Sequence, residues 1–112
     1  MPEDKYAHVI ETRIRYLTTS EGGRKSGVAS GYRGDFVYDG MYCHGQQSFP
    51  DYGANDFVDL GIEVRALVYF PREQWDRVHQ HKLHVGKSFE IREGPRVVGT
   101  GVITRLDVEQ SD

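Results

Sequence analysis

The stretch "FEIREGPRVVGTGVITRL", residues 89–106, holds two β-prone apolar segments on either side of a Gly94-Pro95 turn. The second segment carries Gly99 and Gly101, although glycine weakens a strand because it costs backbone entropy and packs no side chain. In a small barrel, such glycines permit sharp coiling or the close approach of another backbone. The stretch therefore predicts a closing hairpin, 83–93 and 96–107, whose glycines serve geometry rather than catalysis.

Composition predicts one soluble domain. The chain has 112 residues, of which 38% are hydrophobic and 28% charged, and no apolar run approaches the roughly 20 residues that span a bilayer. The single cysteine, Cys43, rules out an internal disulfide and suits a reducing compartment. The acidic N-terminus is unlike a secretory signal. We expect a cytoplasmic protein with no membrane partner, formed as a single domain over 1–112 with a barrel at about 8–107 between short tails.

Charge is unevenly spread. The net charge of −3 does not favour DNA or other nucleic acids over the whole surface. Residues 12–33 are nevertheless basic, whereas residues 34–64 contain six carboxylates and no lysine or arginine. This asymmetry predicts one basic and one acidic face, or simply charged loops and exposed strand positions.

Strand-like alternation dominates the chain. Residues 10–16 alternate apolar and charged side chains, and 62–70 place Ile62, Val64, Ala66, Val68 and Phe70 on one face until Pro71 ends the strand. Residues 20–31 and 44–56 are predicted to form polar loops, and 72–82 a short helical turn. About six strands with little helix predict a compact all-β barrel or sandwich.

Two motifs resemble a known family. Residues 89–102 are similar to the closing hairpin of the third, C-terminal domain of elongation factor Tu and related GTPases, and residues 11–38 to the first strand, E-G-G-R loop and G-Y-R segment of that domain. The resemblance implies a six-stranded antiparallel Greek-key β-barrel standing alone. Because the GTPase domain has no counterpart here, we expect no GTP binding, no cofactor and no enzymatic activity.

The resemblance also implies a route to RNA. In the family this barrel contacts the T-stem backbone of aminoacyl-tRNA, and the matching positions are Arg24 and the pair Glu93-Gly94. Lys25 and Arg33 add positive charge that could neutralise phosphates. Asp35 replaces a contacting glutamine of the family and would repel phosphate. tRNA binding is therefore kept as the alternative function.

A protein partner is the favoured function. In the family, one flank of the barrel packs on the GTPase domain and another meets the nucleotide-exchange factor. The middle of this chain, 40–85, diverges from the family, and it contains the aromatic residues Phe49, Tyr52, Phe57 and Trp75, of types common in binding hot spots. We therefore expect a non-enzymatic module that recognises a protein through this region, with a translation-related role or mimicry of the elongation factor as versions of it.

Metal and catalytic groupings are weaker. His79, His81 and His84 have a spacing that would permit zinc if they converged, but solvated loop histidines are commoner, and we predict no metal. Cys43 and His44 are neighbours with no visible orienting partner.

A phosphate-binding loop is also excluded by sequence. The "GKS" at 86–88 lacks the glycine five residues earlier, where His81 stands, and a strand follows instead of a helix. Glu93 beside Arg92 and Arg96 indicates a salt-bridge cluster at a hairpin end far better than a catalytic carboxylate.

Overall fold

The computed structural model describes residues 7–109, which form one antiparallel sheet of seven strands. The strands are β1 (Ala7–Tyr16), β2 (Asp35–Tyr38), β3 (Met41–Cys43), β4 (Gln46–Ser48), β5 (Glu63–Pro71), β6 (Ser88–Glu93) and β7 (Arg96–Arg105). A helix, α1 (Arg72–Arg77), and single 3-10 turns at Thr19–Glu21 and His79–His81 complete the elements. The strand order is β3-β2-β6-β7-β1-β5-β4. The all-β class is confirmed, with seven strands in place of the six predicted.

The sheet curls because its two edge strands are neighbours in the chain. Only His44 and Gly45 separate the end of β3 from the start of β4, so the two edges lie within about 11 Å of each other at this link. Gln47 of β4 also bridges to Tyr32, whose carbonyl accepts from the Gln47 N–H at 2.8 Å. Within residues 7–109 no ladder pairs β3 with β4. The architecture is therefore a curled half-barrel, and the predicted closed six-stranded Greek-key barrel is corrected to this form.

Strand β4 lies where the sequence predicts a polar loop. Its three residues, Gln-Gln-Ser, carry no apolar alternation. The fully buried Gln47 side chain replaces that pattern with hydrogen bonds: its Nε2 donates to the Gly34 carbonyl at 3.0 Å, and its Oε1 accepts from the Tyr16 hydroxyl at 2.9 Å. Satisfied polar groups can be buried at little cost, which is why a polar segment forms a strand here.

The central strands follow their predicted faces. Strand β1 pairs with β5 on one side and β7 on the other. Inward-facing side chains of β1 and β5 form the middle of the core: Ile10, Ile14, Tyr16, Val64, Ala66, Val68 and Phe70. Ile62, predicted to share the inward face, precedes β5 and is 44% exposed.

The helical turn predicted over 72–82 is confirmed as α1 and the 3-10 turn that follows it. Pro71 closes β5 and precedes the first helical residue. Trp75 and His79 turn inward, and the His8 ring stacks on Trp75 with 3.7 Å between ring centroids. The segment therefore packs against one end of the core.

The two glycines of β7 lie in close contact with the neighbouring strands β1 and β6, as predicted. A Cβ on Gly101 would stand 2.5 Å from Phe89 Cζ and 2.7 Å from the Arg13 carbonyl oxygen. A Cβ on Gly99 would stand 3.1 Å from the ring of Tyr16. The absence of side chains lets β7 fit between β1 and the Phe89 ring of β6.

We expect Gly101→Ala to lower the free energy of unfolding by about 2 kcal/mol, because the new methyl group would overpack against a ring and a backbone oxygen. The exposed neighbour Thr100 on the same strand supplies the control, since Thr100→Ala should change stability by less than about 0.5 kcal/mol. Urea unfolding of both variants measures this. Equal stability of the two variants would contradict the close-approach account.

Candidate functional site

The two motifs that carry the family resemblance meet at one carboxylate. The Arg24 guanidinium and the Tyr32 hydroxyl both donate to Oε2 of Glu93. Arg24 also lies over the Tyr32 ring, 5.0 Å from its centroid. We call Arg24, Tyr32 and Glu93 the Glu93 cluster. It joins the loop after β1 to the turn between β6 and β7.

Local sequence builds the loop that carries Arg24. Glu21 closes a capping box with Thr18, whose backbone N–H donates to Glu21 Oε1 at 2.9 Å, and Arg15 donates to the same oxygen at 3.0 Å. These bonds, from Thr18 first and then Arg15, lower the pKa of Glu21 to about 2. Gly22 then adopts a left-handed φ of 93°, which reverses the chain. The Thr19 hydroxyl donates to the Arg24 carbonyl at 2.7 Å and holds the loop in place.

The Glu93 cluster is charged and internally satisfied. Partial burial acts to raise the pKa of the Glu93 carboxyl, but the hydrogen bonds from Tyr32 and Arg24 outweigh it and hold that pKa below its ordinary value. Burial, followed by the neighbouring carboxylate, raises the pKa of Tyr32. Glu93 is therefore ionised and paired with Arg24. A phosphate would have to compete with the Glu93 carboxylate for the Arg24 guanidinium.

The structure divides the predicted RNA-contact residues into two places. Arg24 contacts Glu93, and Gly94 follows it in the hairpin turn with a φ of 62°. Lys25 is exposed beside Arg24 in the chain. Arg33 instead lines a different cleft, together with His44, Gly45 and residues at the end of β5. No single phosphate-binding row contains all five predicted residues.

Two of the predicted interface aromatics are corrected to core residues. Phe49 is 1% exposed and Trp75 is 6% exposed. Both lie in the core cluster, and the half-buried Tyr52 packs against it. Phe57 is 62% exposed, so it is the member of the set that the surface presents. An aromatic residue in a polar segment indicates either core or interface, and composition does not separate the two.

Three further apolar side chains are exposed, and the sequence patterns do not indicate this for Ile62 or Val85. Tyr42, Ile62 and Val85 are exposed by 51%, 44% and 58%. The alternation predicts Ile62 on the inward face of a strand, but that strand begins at Glu63. The Asp-Leu-Gly before Ile62 is the signal for an earlier turn, since Gly61 adopts a φ of 87°.

The histidines do not converge. His79 is buried, its Nδ1 lies 2.6 Å from the Tyr38 hydroxyl, and burial lowers its pKa. His81 and His84 are exposed. In the described part of the chain, no group of three or more His, Cys, Asp or Glu residues is arranged to hold a metal ion.

Cys43 lacks the environment of a reactive thiol. Burial first, and the Asp35 carboxylate second, raise the pKa of its thiol, which disfavours the nucleophilic thiolate. The thiol donates to the Met41 carbonyl, with 3.8 Å between Sγ and the oxygen.

None of the helices within residues 7–109 has the length and the apolar composition needed to cross a membrane.

We expect the stabilisation contributed by Glu93 to depend on pH. Because its folded-state pKa lies below the ordinary 4.5, ionised Glu93 stabilises the fold fully above that pH and loses this effect as the pH falls through the folded-state value. Glu93→Gln should therefore be destabilising near neutral pH and less destabilising at an acidic pH below 4.5, where the wild-type carboxylate begins to lose its charge. Urea unfolding at both pH values tests this, with the exposed helix variant Glu73→Gln as control. A stability difference for Glu93→Gln that is the same at both pH values would contradict the cluster's charge assignment.

Comparison with known proteins supports the motif-based resemblance. The chain is 33% identical over 98 residues to elongation factor Tu 2 of Streptomyces avermitilis. The aligned region covers 88% of this chain and 23% of that relative, so the chain spans less than a quarter of the relative's length. No protein-family model matches the chain. The predicted resemblance is confirmed: over most of its length this chain is similar to elongation factor Tu, and its curled antiparallel sheet fits a domain like the C-terminal one of that factor.

Proposed function

We propose that this chain is a non-enzymatic, translation-related binding domain of the cytoplasm that recognises a protein partner through residues 50–62, the β4–β5 loop. The similarity to elongation factor Tu supports the link to translation. The observation that carries the choice of surface is the exposure of two large apolar side chains, Phe57 and Ile62, within this one loop. Solvent-facing apolar groups of this size close together in sequence favour a binding surface.

The β4–β5 loop is held by the core while its apolar side chains face outward. The fully buried Val58 exchanges backbone hydrogen bonds with Val28, at 2.7 Å and 3.4 Å. Phe57 precedes this anchor, and consecutive side chains of extended backbone point in opposite directions. An anchored backbone loses less conformational entropy on binding than a free one, which favours affinity.

Charge around the loop defines the partner's chemistry. Asp51 and Glu63 are ion-paired with Arg65 and Arg13, at 2.9 Å and 3.1 Å. Asp59 is exposed and forms no ion pair with any residue in 7–109. We expect an apolar recess flanked by lysine or arginine on the partner, because such a surface would match both Phe57 and the unpaired carboxylate.

RNA binding is the second candidate, and the Glu93 cluster is the observation that favours it. The residues that match the family's tRNA-contacting positions, Arg24 and Glu93-Gly94, are neighbours in space. Lys25 is exposed beside them and forms no ion pair within the described residues. Phosphate would have to displace Glu93 from Arg24, so we rank RNA below a protein partner.

For the protein partner, we expect Phe57→Ser and Ile62→Ser each to weaken binding by about tenfold, because each removes apolar area at the centre of the surface. The probes are the purified GTPase domain and the purified nucleotide-exchange factor of an elongation factor Tu, with affinity measured by calorimetry. Val85→Ser removes an equally exposed apolar group outside the loop and serves as the control. Failure of both proteins to bind, or equal loss in all three variants, would contradict the proposal.

For RNA, the prediction is a strong salt dependence. Binding of purified tRNA should fall linearly on a log-log plot between about 50 and 200 mM salt, and Arg24→Gln and Lys25→Gln should each reduce the slope by roughly one. Glu93→Gln should strengthen binding, because it removes the carboxylate that competes for Arg24. Lys82→Gln, an exposed cation outside the cluster, is the control. Absence of any salt-sensitive binding at the lowest salt would exclude this candidate.

A further inference from the structure

A cleft of about 660 Å³ opens at the seam where the two edges of the curled sheet approach each other. The link between β3 and β4 contributes His44 and Gly45, the segment before β2 contributes Arg33, and the start of α1 contributes Arg72. We call this the seam cleft. Its volume lies within the range of about 300–1,000 Å³ that is usual for small-molecule sites.

Two arginines at the seam cleft, Arg33 and Arg72, form no ion pair with any described residue. Most arginines of the described chain are ion-paired, such as Arg13 and Arg65, but within residues 7–109 no carboxylate lies within ion-pair distance of Arg33 or Arg72. Such unpaired guanidiniums lining one cleft attract an anion, because their planar donors match carboxylate and phosphate oxygens.

The position of Arg72 is held without neutralising its charge. Its Nη2 donates to the Ala7 carbonyl at 3.4 Å, and its Nη1 lies 3.5 Å from His8 Nδ1. The one carboxylate in the cleft lining, Glu73, is paired with Arg77 at 3.3 Å. Among the described residues that line the cleft, the charge is therefore net positive.

The remaining wall of the seam cleft is largely apolar. The end of β5 lines it, where the exposed Pro71 follows the fully buried Phe70. Phe70 is part of the core and Pro71 fixes the backbone as the strand passes into α1, so this wall is rigid. A flat apolar group can lie against such a wall while an acidic group attached to it reaches the guanidiniums.

From this arrangement we propose that the seam cleft binds a small organic anion, in which a carboxylate or phosphate pairs with Arg33 and Arg72 and a flat apolar body packs on the exposed ring of Pro71. The site lies apart from the Glu93 cluster, and neither Phe57 nor Ile62 lines it. It therefore shares no residue with the Glu93 cluster and includes neither exposed side chain of the protein surface, although Arg33 is also one of the predicted RNA contacts. His44 and Gln46 supply further hydrogen-bonding groups at its rim.

Titration of the ¹⁵N-labelled full chain with benzoate, phenyl phosphate and neutral benzamide tests the proposal by NMR. We expect saturable shifts at the amides of residues 44–46 and 69–73 with at least one of the two anions, and none of that pattern with benzamide. A response to benzoate alone would identify a carboxylate ligand, and a response to phenyl phosphate alone a phosphate ligand. No saturable shift with either anion, or equal shifts with benzamide, would overturn the proposal.

Variants locate the interaction. Arg33→Gln and Arg72→Gln should each weaken the affinity for the anion that gives saturable shifts by roughly three- to tenfold, since each removes one charge-assisted pair. Arg105→Gln changes an exposed arginine outside the cleft and should leave the affinity unchanged. All three side chains are exposed, so folding should survive each change, and unchanged backbone spectra would verify it. Equal affinities for all four proteins would show that the anion binds elsewhere and would overturn the assignment.

Discussion

Close packing of β7 against both of its neighbours is the constraint on which the structure depends. Strand β7 lies between β1 and β6. A methyl group added at Gly101 would clash with both the Phe89 ring and the Arg13 carbonyl oxygen. Any side chain there would push the closing hairpin away from the first strand. The pairing of the first and last strands, and with it the middle of the sheet, rests on this absence of a side chain.

The Glu93 cluster follows from that pairing. The loop with Arg24 leaves the end of β1, and the turn with Glu93 immediately precedes β7. Because β1 and β7 are antiparallel neighbours, the end of one lies beside the start of the other, and the two motifs meet although 69 residues separate Arg24 from Glu93. The seam cleft has a different origin. It follows from the short link at His44-Gly45, which brings the two edges of the sheet together without pairing them.

The fold was largely predictable because its central strands have regular patterns. The alternation in β1 and β5 and the Gly-Pro turn before β7 identify three of the longest elements, and the terminal motifs indicate the similarity to elongation factor Tu. Strand β4 was not predictable, because the buried Gln47 is stabilised by hydrogen bonds from distant residues that a local pattern cannot show.

The candidate site was predictable only in part. Arg24 and Glu93 were both selected, but their contact depends on strand pairing rather than on spacing. Phe49 and Trp75 lie in the core although the sequence predicts them at a surface, because an aromatic residue in an irregular segment has no periodicity that distinguishes the core from solvent. Arg33 follows Tyr32 directly in sequence, yet it lines a different cleft from the cluster that contains Tyr32.

The most direct test of the central claim is a set of nuclear Overhauser contacts across β7. The account predicts cross-strand contacts between β1 and β7 from the Thr12–Ile103 pair to the Tyr16–Gly99 pair, and contacts from the Phe89 ring to the Gly101 α-protons. Contacts from β7 to β6 alone, with none to β1 and no ring contact at Gly101, would contradict it.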